Sequence, residues 1–165
     1  HERQARITEM AILTEIGQVV ASSLELEQVL ETVYQQVGRI FDANSFYIAT
    51  YEEGSDVWKL ALRQERGQRL PPDQHPLGPG LTSHILRNRQ PLLLHTGREV
   101  QDFQAEHSLE RLGDPAQSWM GVPLIVGGKI VGVMAIHNYE RESLYSRQDL
   151  ALCSTVATRI WLKPS

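Results

Sequence analysis

The stretch SWMGVPLIVGGKIVGVMAIHN, from Ser118 to Asn138, decides the fold of this protein. Two apolar runs flank the pair Gly127-Gly128, a pattern typical of two antiparallel strands joined by a tight turn. Nearly every position of both runs is apolar, so we expect the hairpin to be buried on both faces. Other parts of the chain must then cover both faces of the hairpin. A ligand site is possible only if one of these covering layers leaves a cavity against the strands.

Segments with helical periodicity lie towards both ends of the chain. Apolar residues recur at steps of three and four in Ile7–Leu24, on two adjacent stripes, which predicts a first helix. A second helix is predicted over Leu26–Phe41, with one side formed by Leu26, Val29, Leu30, Val33, Val37, Ile40 and Phe41. In the last predicted helix, Ser146 and Asp149 resemble a capping box. Its apolar face consists of Leu150, Leu152, Cys153, Val156, Ala157, Ile160 and Trp161, and Pro164 ends it.

Between these helices the periodicity changes to that of strands. Side chains alternate over residues 46–51, Glu53 to Asp56 read as a turn, and residues 57–63 read as a second strand. We then predict, in order, a proline-rich loop (67–80), a short helix (81–90) that ends before Pro91, a brief strand (91–95) and a polar, weakly helical segment (96–117). Strand–helix–strand repeats are absent, so the predicted class is α+β with an antiparallel sheet.

The composition excludes several classes of protein. The 165 residues suit one domain, and the net charge of −4, without a cluster of basic residues, does not suit nucleic-acid binding. A single cysteine rules out an internal disulfide and favours the cytoplasm. We find neither a membrane-spanning apolar run nor a signal peptide, so we expect no direct membrane contact. Because the chain begins at His1 and not at methionine, we expect it to belong to a longer protein.

Four stretches of the chain resemble the GAF domain, a small-molecule sensing module of signalling proteins. In chain order they are SSLELEQVLETVYQQVGRIFDANSFYI, LGPGLTSHILRNRQPLLL, GVPLIVGGKIVGVMAIHN and YSRQDLALCSTVATRI. The resemblance implies a single domain over residues 1–165, with residues 1–24 as a helix for signalling or dimerisation and 146–163 as the closing helix. It also implies a PAS-related, six-stranded antiparallel sheet. The first, second and last helices would cover one face of the sheet, here called the helix face. Residues near 78–117, here called the roof, would cover the other, here called the roof face, which often holds a ligand.

The turn of the hairpin decides which residues lie on each face. A two-residue loop would place Val126 opposite Lys129, whereas a three-residue loop with a bulge would place it opposite Ile130. The family pattern favours the second. It assigns Val122, Leu124, Ile130, Gly132, Met134 and Ile136 to the helix face, with Gly132 allowing a helix to approach closely. The roof face then carries Trp119, Gly121, Pro123, Ile125, Val131, Val133, Ala135 and His137.

A mostly apolar pocket with a few polar groups is predicted on the roof face. Gly121 and Ala135 would leave room in it, and His137 would supply a polar group at the end of its strand. The ligand-pocket candidates are Tyr47, Ala49, Thr82, Phe103, Trp119, Gly121, Ile125, Val133, Ala135 and His137. The same side chains would serve equally well as a filled second core.

Other chemistry finds little support in the sequence. The six histidines lack the spacing of a metal site, so we expect no metal and no cofactor, although a haem with a single axial histidine would leave His107 or His137 as its candidate ligand. The helical spacing makes Cys153 a core residue. No cysteine matches the bilin attachment site of phytochrome-like relatives, and methionine sulfoxide reduction normally needs a second thiol. The residue set of the cyclic-nucleotide-binding members is also missing. We therefore expect no catalytic residues and no enzyme.

These observations predict a regulatory, small-molecule-sensing domain of a larger cytoplasmic signal-transduction protein. Ligand state would pass through the end helices, which would also form a homodimer, to an effector domain of the same chain such as a histidine kinase or a cyclase. A ligand-free dimerisation or spacer domain is the alternative, and a bilin- or haem-bound sensor is a weaker one. The sequence does not identify the ligand.

Overall fold

One antiparallel sheet organises the chain. The computed structural model describes residues 24–107, 109 and 115–162, apart from the side chains of 159–162. The described helices are α1 (24–40), α2 (Leu81–Asn88), α3 (Gly97–Glu106) and α4 (Arg147–Leu162). The described strands are β1 (Phe46–Tyr51), β2 (Val57–Glu65), β3 (Gln68–Leu70), β4 (Asp73–Pro76), β5 (Leu92–Leu94), β6 (Ser118–Val126) and β7 (Lys129–Asn138). The predicted helix Ile7–Leu24 lies outside the described residues except for Leu24, and so does Pro164.

The predicted fold class is confirmed. Strands pair in the order β3-β2-β1-β7-β6-β5, and β4 pairs with the remaining outer edge of β2. Two of these strands lie where a loop was expected. β3 follows a two-residue turn in which Arg66 and Gly67 both have positive φ, and arginine is an uncommon residue there. β4 ends in Pro76 and follows two further prolines, which only an edge strand tolerates.

The central hairpin combines the two registers that the sequence left open. Gly127 and Gly128 have φ of 58° and 79°, as a type I′ turn requires, and Val126 pairs with Lys129. The predicted three-residue loop is therefore wrong. A bulge does exist, but it lies inside β7, where Val131 is the additional residue between the pairs Ile125–Ile130 and Leu124–Gly132. From Leu124–Gly132 to the far end of the hairpin, the pairing is the predicted one.

This bulge exchanges the faces of two residues. Ile130 packs in the roof-face cluster and Val131 against the helix-face cluster, the reverse of the prediction. Gly132 also has a different role from the expected one, because the described atoms nearest to the place of its missing side chain belong to the strand residues Ala49 and Leu124 and not to a helix. A β-carbon at this position would lie 2.1 Å from the backbone carbonyl oxygen of Ala49 on β1. The glycine thus allows two central strands to approach each other beside the bulge.

The helix face is covered by α1 and α4. Its buried side chains include Leu30, Val33, Val37, Phe46, Ile48, Val122, Leu124, Met134, Ile136, Cys153 and Ala157. The capping box of α4 is confirmed, since the Ser146 N–H donates to Asp149 Oδ2 (2.8 Å) and the Asp149 N–H donates to Ser146 Oγ (3.1 Å). Three residues of the predicted apolar helix faces are exposed: Leu26 by 40%, Ile40 by 45% and Leu152 by 42%. Within the part of the chain that is described, no helix has the length and apolarity to cross a membrane.

Replacing Gly132 by alanine is expected to destabilise the fold by about 1–3 kcal/mol, because the new β-carbon must displace the backbone of β1. Gly38→Ala is the matched control. Gly38 lies in α1, where an added β-carbon would have no atom within 4 Å, so alanine there should stabilise by about 0.5–1 kcal/mol. Urea unfolding measures both changes, and equal effects of the two substitutions would contradict the close approach.

Candidate functional site

A cavity of about 510 Å³ lies between the roof face of the sheet and the helices α2 and α3. Its apolar walls include Trp58 and Trp119 from the sheet and Val100 and Ala116 from the roof. Its polar lining includes Tyr47, Arg63, Glu65, Thr82, His137 and Tyr139. A concave site with aromatic and aliphatic walls and several polar groups suits a small molecule.

Two side-chain hydrogen bonds attach the sheet to α2. The hydroxyl groups of Tyr47 on β1 and Thr82 on α2 lie 2.6 Å apart and share a hydrogen bond. The indole N–H of Trp58 on β2 donates to Ser83 Oγ at 3.1 Å. Burial raises the pKa of Tyr47 to about 12, so its phenol remains protonated at neutral pH. These hydrogen bonds therefore hold α2 in place over the polar side of the cavity.

A chain of three side chains fixes the protonation of His137. The hydroxyl of Tyr139 donates to Glu65 Oε1, and His137 Nε2 lies 3.1 Å from the same hydroxyl oxygen. Because a hydroxyl has one proton, which here goes to the carboxylate, the oxygen of Tyr139 accepts from His137 Nε2–H. His137 is then the Nε2–H tautomer, and its Nδ1 bears a lone pair. That Nδ1 is buried and has no hydrogen-bond partner among the described residues.

Burial keeps His137 neutral. Its side chain is 7% exposed, and desolvation lowers its pKa from the ordinary value of 6.5 to about 4, with the nearby Glu65 carboxylate opposing part of that shift. At neutral pH the ring is therefore a hydrogen-bond acceptor at Nδ1 and not a cation. A buried acceptor without a donor is costly for the folded state.

The position of Trp119 depends on Gly121, two residues along β6. A β-carbon at Gly121 would lie 2.4 Å from the indole ring of Trp119 and 2.9 Å from Ile85 on α2. The space that was expected to admit a ligand at Gly121 is therefore filled by the tryptophan ring. Gly121 shapes the wall of the cavity and does not enlarge it.

The structure brings four of the ten predicted pocket residues to the cavity: Tyr47, Thr82, Trp119 and His137. Ala49, Ile125, Val133 and Ala135 lie in the apolar cluster of the roof face and not in the cavity lining. Phe103 also packs against that cluster, and its ring contacts those of His84 and His107, with centroids 5.1 and 4.1 Å away. His107, the other candidate haem ligand, therefore lies outside the cavity lining.

Sequence reasoning missed most of the cavity lining, including the aromatic and polar residues Trp58, Glu65, His75 and Tyr139. Glu65 and Tyr139 lie just beyond the predicted ends of their strands, and extending both strands by two residues would have found them. His75 lies on β4, which was predicted as loop, and its ring stacks on Trp58 with centroids 4.8 Å apart. Trp58 was placed on a strand but was not assigned to a face. A bulge at Ala61 interrupts the alternation along β2, so that Leu60 packs in the roof-face cluster and Leu62 in the helix-face cluster.

The described residues offer neither an exposed thiol nor a cluster of metal ligands. Cys153 is buried at the helix face, and burial raises the pKa of its thiol to about 12, so the prediction of a core cysteine is confirmed. Among residues 24–107, 109 and 115–162, no group of three or more His, Cys, Asp or Glu side chains is arranged to hold a metal ion.

Comparison with known proteins identifies the same fold. The family model described as GAF domain matches residues 25–163. The GAF-B domain of DevS from Mycobacterium smegmatis superimposes with a TM-score of 0.62 at 12% identity, over 81% of this chain and 88% of that one. The GAF domain of a two-component sensor histidine kinase from Bacillus halodurans gives a TM-score of 0.61 at 18% identity, over 81% and 89%.

One structural neighbour is an enzyme. A type II free methionine-R-sulfoxide reductase from Thermoplasma acidophilum gives a TM-score of 0.57 at 16% identity, over 81% of this chain and 90% of that one. Likeness at this level of identity concerns the fold alone. A search of curated proteins found no match.

The titration of His137 predicts a pH-dependent stability. Between pH 6.5 and 4 the unfolded chain binds a proton at this position that the folded protein does not, so the free energy of unfolding should fall on acidification and level off below pH 4. The loss amounts to about 3 kcal/mol at about 1.4 kcal/mol per pKa unit. Urea unfolding across this range should show a steeper decline for the wild type than for His137→Asn. Parallel profiles would refute the buried neutral imidazole.

Proposed function

Since this chain belongs to the GAF domain family, we propose that it is the regulatory sensor domain of a longer cytoplasmic signal-transduction protein and binds a small molecule between the sheet and the roof. The observation that carries this proposal is the cavity of about 510 Å³ that His137 lines, together with the buried Nδ1 of that side chain, which has no partner among the described residues. A tightly filled core would leave neither a volume of this size nor a buried acceptor without a donor.

Transmission of the ligand state would run through the two central strands. The roof face of β1 and β7 carries Tyr47 and His137, while the helix face of the same strands packs against α1 and α4 through Ile48, Met134 and Ile136. The backbone N–H of His137 also donates to the carbonyl of Ser45, 3.0 Å away, just before β1. A shift of His137 on ligand binding would therefore act on the strand that supports α1.

The side chains of the site support binding and not catalysis. The single thiol of the chain is buried on the opposite face of the sheet with a raised pKa, so it is not a nucleophile for the sulfoxide-reductase reaction. Ser83 Oγ accepts from the indole of Trp58 at 3.1 Å and from the Gly78 N–H at 3.0 Å, which makes it a structural hydroxyl. We therefore propose that the domain is not itself an enzyme. The sensor histidine kinase that contains one of its structural neighbours supports an effector of that type.

A second candidate function is a ligand-free domain that dimerises through its helices. The first of the predicted dimer helices, Ile7–Leu24, lies outside the described residues except for Leu24, so the described candidates are α1 and α4. Leu152 on α4 and Leu24, Leu26 and Ile40 on α1 are 40–54% exposed. Large apolar side chains at such exposure on two neighbouring helices suit a helical interface between copies of the chain. The two candidates are compatible, because a sensor can transmit its state across the same interface.

A ligand of the cavity should stabilise the protein by about 2.7 kcal/mol at a hundredfold excess over its Kd. A thermal-shift screen of small molecules identifies such ligands, and Ala116→Trp, which fills the cavity, should abolish the shift. Ala105→Trp, exposed on the roof helix α3, is the matched control and should retain it. Bound ligand should also slow hydrogen exchange in α1 and α4. Protection confined to the roof would exclude the proposed transmission, and a shift that survives Ala116→Trp would exclude this cavity.

The proposed interface predicts the behaviour of two α4 variants. Leu152→Glu places a charge on an exposed apolar position and should convert a dimer to a monomer in sedimentation. Ala151→Glu, also exposed but about 100° further around the helix, should remain dimeric. If the wild type already sediments as a monomer, or if both variants remain dimeric, Leu152 is not part of an interface.

A further inference from the structure

We propose that the hairpin formed by β2 and β3 carries the state of the cavity to helix α1, and that Arg69 is the positioning residue that couples the two. This route rests on the proposed function, because it specifies how a sensor would pass on its state. Two sets of contacts support it: those of the last two residues of β2, and the hydrogen bonds that hold the turn after them.

The end of β2 connects the cavity lining to the helix side of the sheet. Glu65 lines the cavity and accepts a hydrogen bond from the hydroxyl of Tyr139. Gln64 is buried, and its amide oxygen accepts from Nε of Arg69 at 2.9 Å. Successive residues of a strand direct their side chains to opposite faces of the sheet. A displacement of Glu65 in the cavity would therefore also move the hydrogen-bond partner of Arg69.

Arg69 joins this strand end to α1. It lies opposite Gln64 on β3, and its two terminal nitrogens donate to the carboxylate oxygens of Glu31 on α1, at 2.9 and 3.4 Å. Its guanidinium also lies over the ring of Tyr34, 4.9 Å from the centroid. The hydrogen bond from Arg69 lowers the pKa of Glu31, so this carboxylate stays charged at neutral pH. All three guanidinium nitrogens thus have partners, two of them on the helix and one on the sheet.

The turn between β2 and β3 is attached to the segment that follows α1. The Gly67 N–H donates to the carbonyl of Asn44 at 2.8 Å, and the Arg66 N–H donates to Ser45 Oγ at 3.1 Å. Residues 44 and 45 lie between α1 and β1. The hairpin therefore holds α1 at its middle, through Glu31, and holds the chain just beyond its end. A movement of the hairpin would shift the helix with it.

The hairpin route adds to the route through β1 and β7 and differs from it in the helices that it reaches. The central strands carry both α1 and α4 on their helix face, whereas the contacts of Arg69 lead to α1. Helix α4 packs on β6, in the other half of the sheet. Loss of Arg69 should therefore weaken the response of α1 to a change in the cavity and leave the response of α4 as it was.

Amide hydrogen exchange on the whole chain tests this coupling without a ligand. Tyr139→Phe keeps the ring but removes the hydroxyl that binds Glu65, so it disturbs the cavity wall. We expect this substitution to make exchange in α1 about threefold faster. In the background of Arg69→Met, which keeps the apolar stem over Tyr34, the same substitution should change exchange in α1 by about 1.5-fold or less. Its effect on α4 should be equal in both backgrounds.

Arg98→Met is the matched control. Arg98 is an exposed arginine that pairs with Asp102 within α3 at 3.7 Å, so its loss also removes a surface ion pair. The response of α1 to Tyr139→Phe should persist in this background. Exposed ion pairs contribute little to stability, so both methionine variants should remain folded. Glu65→Gln, which removes the charge from the same hydrogen bond, replaces Tyr139→Phe if that variant does not fold.

The outcomes separate this proposal from the proposed function. A response of α1 that survives Arg69→Met, or that is absent in the wild-type background, would refute the hairpin route. Equal loss of the response in the Arg98→Met background would refute a specific role of Arg69. None of these results depends on a ligand, and the thermal-shift screen with Ala116→Trp tests the sensor function separately. If the screen finds no ligand while Arg69 still couples the cavity wall to α1, the sensor function fails and the coupling stands.

Discussion

The close approach of the Ala49 carbonyl oxygen to Gly132 is the contact on which the rest of the sheet depends. Only glycine fits at position 132, because the backbone of β1 occupies the space of any side chain. The bulge at Val131 lies directly beside this contact and changes which residues of β7 face each cover. Beyond it, strict alternation carries Met134 and Ile136 to the helix face and Ala135 and His137 to the roof face. The register set by one backbone contact thus decides which side chains reach the cavity.

The periodicity of the sequence predicted most of the fold but not its irregular parts. Helix α4 with its capping box, the existence of the two long hairpins and the face of every residue from Gly132 to His137 follow from the periodicity, although the turn of the central hairpin was predicted one residue too long. The strands β3 and β4 were missed because an arginine occupies a left-handed turn and prolines occupy a sheet edge. A bulge inside a strand is equally invisible, since Ile130 and Val131 are interchangeable in an apolar pattern. Only the packing of both faces distinguishes them.

The candidate site was predictable in location but not in chemistry. Alternation brought Tyr47, Trp119 and His137 to one face, yet the state of His137 depends on Glu65 and Tyr139, which approach from the ends of two different strands. Such a chain of hydrogen bonds leaves no pattern in the sequence, because Glu65 lies 74 residues from Tyr139 along the chain. The stacking of His75 on Trp58 was equally hard to predict, because it depends on the strand β4, which was predicted as a loop. The imidazole of His137 is an acceptor at Nδ1 because of the direction of its hydrogen bond to Tyr139, and the residue type alone does not reveal that direction.

The prolines around β4 have a consequence for the behaviour of the protein in concentrated solution. β4 lies at the outer edge of β2, where an uninterrupted strand would present a row of N–H and C=O groups to other molecules. Pro71, Pro72 and Pro76 have no N–H to offer, and Asp73 adds a charge between them. A second sheet cannot easily extend this edge, so the domain is protected against edge-to-edge aggregation on that side.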